Sequence, residues 1–150
     1  MEHEYTIRTI NLSKKFNRLW AARNLDLRVE PGQIFGFLGP NGAGKSTTIR
    51  LLLSLISNTK GSIEIFGMNP YYKSSKIYAR VGALVEESDF YQYLTGYQNL
   101  KLLGDLHGNI SRTRIDEVFD LFKLTDKKHV KVKKYSHGMK QRLGIAQAIL

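Results

Sequence analysis

Gly39-Pro-Asn-Gly-Ala-Gly-Lys-Ser46 fits the spacing G-x-x-x-x-G-K-[ST] in full. These residue types suit one task, the capture of a polyphosphate, which needs many donors converging on one point. Gly42 and Gly44 let the backbone wrap closely, at dihedral angles other residues resist. The amides of Gly42 to Thr47 can then face inward as an anion nest. A helix opening near Lys45 adds the partial positive charge of its N-terminus. The pattern sets Lys45 to bridge β- and γ-phosphates and the Ser46 hydroxyl to ligate Mg²⁺. The competing reading is a glycine-rich turn with a surface lysine. At a glycine frequency of about 7%, a chance match in this chain is on the order of one in a hundred or rarer. Nucleotide binding is therefore the stronger reading.

A loop of this kind needs a buried strand before it and a helix after it. Ile34-Phe-Gly-Phe-Leu38 is a continuous apolar run, the pattern of a strand buried on both faces. Ser46 to Ile56 follows at helical spacing, with Ile49, Leu52, Leu53 and Ile56 on one face. Upstream, Tyr5, Ile7 and Thr9 alternate with polar neighbours, as do Leu25, Leu27 and Val29, which predicts two half-buried strands. Pro31-Gly32 marks a turn. Ser62 to Phe66 reads as a strand, Tyr71 to Arg80 as a short helix and Val81 to Val85 as another strand.

From Thr95 the period becomes 3.6. Thr95 and Gln98 have capping-box spacing, with Tyr97, Leu100 and Leu103 behind them. Gly108-Asn109 breaks that helix. Ile115, Val118, Phe119 and Phe122 stripe the next, and Ser136 can cap a last one carrying Leu143, Ala146, Ile149 and Leu150. Strands dominate before residue 87 and helices after it.

The chain has 150 residues, 42% hydrophobic and 24% charged, enough apolar material for a core. Its formal net charge of +10 calls for an anionic partner without naming one. Cysteine is absent, which excludes disulfides, Cys-based metal sites and a thiol nucleophile. The longest apolar run, Leu51-Leu52-Leu53, is far short of the roughly 20 residues that span a bilayer. The stretch Gly144 to Leu150 stays in an apolar helical pattern with no Gly, Asn or Pro to end it, which predicts that the chain is a fragment.

Three stretches together resemble one family. Gly39-Pro-Asn-Gly-Ala-Gly-Lys-Ser-Thr-Thr48 has the wording of the phosphate loop of ATP-binding cassette (ABC) ATPases. Val81-Gly-Ala-Leu-Val-Glu86 is similar to the strand entering their glutamine loop. Tyr135-Ser-His-Gly-Met-Lys-Gln-Arg142 resembles their LSGGQ signature, often followed by Gln-Arg. The resemblance covers the whole chain in order and spacing. It implies an α/β fold: a P-loop NTPase core with an antiparallel β subdomain, and a helical subdomain bearing the signature, here as a truncated cassette. Residues 1–87 would form the nucleotide-binding core with its β subdomain, and 88–150 the helical subdomain.

The resemblance also implies function. ATP and Mg²⁺ are the expected ligands, held by Gly39, Pro40, Asn41, Gly42, Ala43, Gly44, Lys45, Ser46, Thr47 and Thr48. Two cassettes, expected to be a homodimer, would sandwich ATP head to tail, with Ser136, His137, Gly138 and Met139 of one meeting the γ-phosphate held by the other. Ser136 taken alone reads as an ordinary N-cap; beside the other motifs the phosphate-facing role is preferred. Phe16 stands where the family places a ring under adenine; a core Phe closing the first strand pair is the alternative, and Trp20 a neighbouring competitor. Glu86 replaces the loop glutamine and is a candidate contact for Mg²⁺ and the attacking water; a solvated Glu beside Glu87 is the alternative. His137 replaces the first signature glycine, where it can face the γ-phosphate or point away.

The substitution at Glu86, with Phe90-Tyr91 and Leu94-Thr95 after it, is similar to the drug and peptide exporters that include bacitracin and lantibiotic resistance systems. The expected role is the ATPase subunit of such an exporter, peripheral on the cytoplasmic face of the cell membrane and bound to an integral membrane permease. No nucleic acid is expected. A non-transport ABC ATPase acting on ribosomes or nucleic acid ranks second, a P-loop kinase or GTPase third. The family's second acidic motif and switch histidine lie beyond the signature, so hydrolysis is expected of the full-length protein and not of these residues alone. Phe90, Tyr91, Tyr93 and Tyr97 are candidate anchors for the membrane subunit, or else a small satellite core. Lys127, Lys128, Lys131, Lys133 and Lys134 read first as a solvated surface and second as attraction to anionic lipid.

Overall fold

The computed structural model describes residues 4–85, 89–106, 108 and 110–150. Glu86, Glu87 and Asn109 lie outside the described residues. The chain forms two compact units, residues 1–81 and 82–150.

The first unit is built on one long strand. β1 (Ile7–Phe16) pairs antiparallel with β4 (Lys60–Ile65) along one edge. Along its other edge it pairs with β2 (Leu19–Leu25) and then with β3 (Arg28–Val29). The alternation at Leu27 and Val29 therefore belongs to two short pieces, not one strand. Thr9, buried, bridges the gap between them: its hydroxyl donates to the Leu25 carbonyl (2.8 Å) and accepts from the Leu27 amide (2.8 Å). A bulge lies between Leu12 and Lys14, where Asn11 and Asn24 adopt positive φ (48° and 49°). Asn tolerates that conformation better than most residues. The Asn11 amide is held by the Asp26 carboxylate (2.6 Å) and the Asn24 amide by the Ser13 hydroxyl (2.9 Å).

Helix α1 (Lys45–Leu52) covers this sheet and α2 (Ser74–Tyr78) follows β4. Leu12, Leu51, Ile63, Ile65 and Ile77 form the core, with Leu25, Leu52, Ile56 and Met68 packed around it. The buried face of α1 carries Thr48 and Leu51, one position off the expected stripe, so Ile49 is left exposed. The helix is also shorter than the pattern implied, because Ser54 at φ 52° turns the chain away.

Two expected strands do not form. Ile34–Leu38 and Val81–Val85 carry no strand ladder. Ile34 and Leu38 are fully or almost fully exposed. A parallel strand draws its backbone bonds from neighbours, and no described strand of the chain runs beside either segment.

The second unit is helical. α3 (Gly96–Leu106), α4 (Arg112–Leu121) and α5 (His137–Ala148) enclose a core of Phe90, Leu100, Ile115, Val118, Phe119, Leu124, Val132, Tyr135, Leu143 and Ala146. The capping box is present at the start of α3: the Thr95 amide donates to Gln98 Oε1 (2.9 Å) and the Gln98 amide to Thr95 Oγ1 (3.1 Å). Ser111 caps α4 through the Arg114 amide (3.1 Å). Arg142 closes its far end by donating to the Phe122 and Lys123 carbonyls (3.1 and 3.2 Å). Between α4 and α5 run two short 3₁₀ turns, Thr125–Lys127 and Val132–Lys134. No helix among the described residues is long and apolar enough to cross a membrane.

Candidate functional site

The glycine-rich loop ends in the turn its sequence demands. Gly44, the N-cap of α1, sits at φ 87°, and Gly42 at φ 82°. A Cβ on Gly44 would stand 1.9 Å from the Ala21 carbonyl oxygen of β2. Glycine is required there twice, for the left-handed backbone and for the close approach. The first intrahelical donor of α1 is the Thr48 amide, to the Gly44 carbonyl (2.8 Å), and the Thr48 hydroxyl reaches the same oxygen (3.0 Å). The amides of Lys45, Ser46 and Thr47 precede that bond and remain available at the helix N-terminus. No acidic residue lies in the first turn to oppose an incoming anion.

Lys45 Nζ donates to the carbonyls of Gly39 (2.6 Å) and Pro40 (2.7 Å), folding its ammonium back over the loop. Within the loop Gly39, Pro40, Asn41, Gly42 and Ala43, the Ala43 amide closes a turn onto the Pro40 carbonyl (3.2 Å). The arrangement fits a polyphosphate: a cation, a run of first-turn amides and glycines at 39, 42 and 44. Ser46 is exposed at the start of the same helix. Mg²⁺ fits here through its hydroxyl and phosphate oxygens. An all-protein cage is not available, since the described residues contain no cluster of three or more His, Cys, Asp or Glu. Glu86, the second candidate Mg²⁺ contact, lies outside the described residues.

Phe16 ends β1 with 48% of its surface exposed, and Lys14 Nζ lies 4.9 Å from its ring centroid. It is half exposed and so is not a core residue closing the first strand pair. Trp20, on the facing strand, is also accessible but carries Lys15 at 5.4 Å and Arg23 at 5.7 Å. β2 runs on from Trp20 directly to Ala21, the residue against Gly44, so the hairpin and the loop belong to one packed body.

The signature stretch lies in the second unit. Ser136 caps α5 by accepting from the Met139 amide (3.3 Å). Ser136, His137 and Gly138 are exposed at that N-terminus, with Met139 partly buried against the core. Beneath them Tyr135, 5% exposed, donates its hydroxyl to the Lys127 carbonyl (2.7 Å). Burial pushes the Tyr135 phenol above its ordinary range. Gly96 makes room for it, since a Cβ there would meet the Tyr135 hydroxyl oxygen at 2.3 Å.

The aromatic group after Glu86 divides. Phe90 is buried in the helical core, and Tyr97 packs against that core beside His129 (centroids 5.7 Å apart). Tyr91 and Tyr93 are exposed. Sequence reasoning missed Asn99, a buried polar residue on the core face of α3. Its Nδ2 donates to the Tyr91 (3.2 Å) and Thr95 (2.9 Å) carbonyls, and its Oδ1 accepts from the Tyr91 amide (2.9 Å). The available signal was an Asn beside Leu100 in an otherwise apolar position.

A family model described as ABC transporter matches residues 22–150. The chain is 45% identical over 139 residues to an uncharacterized ABC transporter ATP-binding protein, YdbJ, of Bacillus subtilis, covering 93% of this chain and 45% of that protein. It is 40% identical over 147 residues to the bacitracin transport ATP-binding protein BcrA of Enterococcus faecalis, covering 98% of this chain and 48% of BcrA. The chain thus spans about half the length of the curated relatives it matches. Among solved structures it is similar in fold to cbiO1 of Clostridium perfringens, part of the ABC transporter complex cbiONQ, at a TM-score of 0.79 and 19% identity, over 98% of this chain and 62% of that one.

Proposed function

Because this chain belongs to the ABC transporter family, we propose that it is the phosphate-loop and signature-bearing part of the ATP-binding subunit of an exporter. Its cargo class would be drugs or antimicrobial peptides, as the name of the bacitracin transport relative suggests. The observation that carries the reading is the loop at the start of α1: left-handed Gly42 and Gly44, the first-turn amides and the Lys45 ammonium folded back over the loop. Lys45 and the first-turn amides hold the phosphates, with Lys45 exchanging its two loop carbonyls for phosphate oxygens. Bound Mg²⁺ supplies charge neutralisation of the phosphates, and Ser46 is its protein ligand. Phe16 receives the adenine face, an offset stack of the kind aromatic pairs favour.

The hydroxyl of Ser136 and the amides beside it, in α5 of a second copy, complete the γ-phosphate site across a head-to-tail dimer. His137 adds an imidazole to that face. Glu86 acts as a contact for Mg²⁺ and water. The subunit sits peripherally on the cytoplasmic side of the membrane against an integral permease. The 150-residue chain by itself binds nucleotide weakly and turns it over negligibly. Robust Mg-ATPase activity of the pure chain, lost in Lys45→Ala, would overturn that last point.

Affinity purification from detergent-solubilised membranes tests the transport role. The expected result is a polytopic membrane protein recovered with the tagged full-length subunit, at comparable stoichiometry. Recovery with ribosomes or DNA instead would replace the exporter reading with a non-transport one.

A further inference from the structure

Five of the eight residues from Lys127 to Lys134 are lysine and none is acidic. The stretch is not a loose tail. Val132 is fully buried, Tyr135 nearly so, and both belong to the helical core. The backbone is tied to the segment before α3 and to the first residues of α3 by four hydrogen bonds. The Val132 and Lys133 amides donate to the Leu94 (2.9 Å) and Gln92 (3.0 Å) carbonyls. The Gly96 and Tyr97 amides donate to the Val130 (3.2 Å) and Lys128 (2.8 Å) carbonyls. Thr95 and Lys131 pair as an antiparallel bridge.

That strip brings Tyr91 and Tyr93 alongside the lysines. The two rings meet edge to face, with centroids 5.9 Å apart, and are 50% and 65% exposed. Of the five lysines only Lys128 has an ion pair among the described residues, to Asp116 at 2.8 Å. Lys127, Lys131, Lys133 and Lys134 are exposed and have no acid partner there.

We propose that this shelf, Tyr91 and Tyr93 beside Lys127, Lys131, Lys133 and Lys134, docks on an anionic lipid bilayer surface. The inference rests on the reading of the chain as a subunit working at a membrane. Its chemistry fits lipid headgroups in particular. Lysine ammonium groups on flexible stems act as point charges and suit a fluid field of phosphates better than a fixed geometry. Tyrosine places an apolar ring with a polar tip at the headgroup level. The hydrogen-bonded backbone already joins the two segments, so little ordering cost falls on the main chain when the bilayer is met.

Sedimentation of the intact protein with phosphatidylcholine vesicles, with and without phosphatidylglycerol, tests this. Binding is expected only with phosphatidylglycerol present and is expected to weaken as salt rises. Each lysine near such a surface strengthens partitioning by about fivefold. Lys131→Gln, Lys133→Gln and Lys134→Gln together should therefore weaken it on the order of a hundredfold. Tyr91→Ala with Tyr93→Ala should lower the fraction bound at every salt concentration while leaving its salt dependence in place. The Asn99 bonds to residue 91 use only its backbone, so that variant keeps the local fold. No binding to anionic vesicles, equal binding to neutral ones, or an undiminished lysine variant overturns the proposal. Tighter binding to a random-sequence oligonucleotide than to anionic vesicles overturns it in favour of nucleic acid. ATP titration of the lysine variant is read alongside: unchanged ATP affinity with lost vesicle binding supports the shelf, and ATP affinity lost together with vesicle binding overturns it as a separate surface.

Discussion

Gly44 has no substitute. An alanine there takes a left-handed backbone, costing about 1–2 kcal/mol, and drives its Cβ into the Ala21 carbonyl. Gly44→Ala should lower the stability of the first unit by about 2 kcal/mol or more and remove ATP binding, read by denaturant unfolding and nucleotide titration. Tyr135 gives a second test. Its raised pKa means the folded state holds the phenolic proton more tightly than the unfolded one. The folded chain then binds more protons above the ordinary tyrosine value of about 10, so stability is full below that pH and falls as pH rises through it. Tyr135→Phe should remove that part of the alkaline loss and cost about 1 kcal/mol at neutral pH, because the Lys127 carbonyl loses its donor. The phosphate loop was legible in the sequence because its requirements are local: glycine at two turn positions and a lysine entering a helix. The bonds of Tyr135 and Thr9 were not, since each depends on which distant backbone the fold brings to it.

Capping chemistry also proved local. Thr95 with Gln98, and Ser136, both stand where the sequence put them. Thr95→Ala should destabilise the helical unit by about 1 kcal/mol, with Gln98→Ala losing less, as measured by urea midpoints. Arg142→Ala should cost a comparable amount by freeing two carbonyls at the end of α4. Element boundaries were less legible. The long hairpin from β1 to β2 turns at Asn17, at φ 50°, and its bulge hides the period-2 pattern that strands are recognised by. Ile34–Leu38 shows the opposite failure. Its apolar run is correct strand material, but strand formation needs a partner, and sequence composition carries no information about whether the partner lies within the same 150 residues.

At the scale of the whole molecule, apolar side chains of the segment 34–38 face solvent. Replacing Ile34 and Leu38 with lysine should leave the thermal stability of the 150-residue chain within about 0.5 kcal/mol of its starting value and lower its binding of a hydrophobic dye. The α/β P-loop assignment was legible from the order of three motifs, and the family match over residues 22–150 bears it out. The net charge of +10 was visible as well, but not its distribution over the fold. The backbone strip that lays Tyr91 and Tyr93 beside the lysine run follows from pairing that no local pattern announces.

Calorimetric titration with Mg-ATP, comparing the unmodified chain with Lys45→Ala, tests the central claim most directly. Removing a charge-assisted donor of this kind costs about 1.5–3 kcal/mol, so affinity should fall by roughly ten- to a hundredfold with the far-UV spectrum unchanged. Equal affinity in a folded Lys45→Ala chain would contradict the account, because the phosphates would then be held somewhere other than this loop.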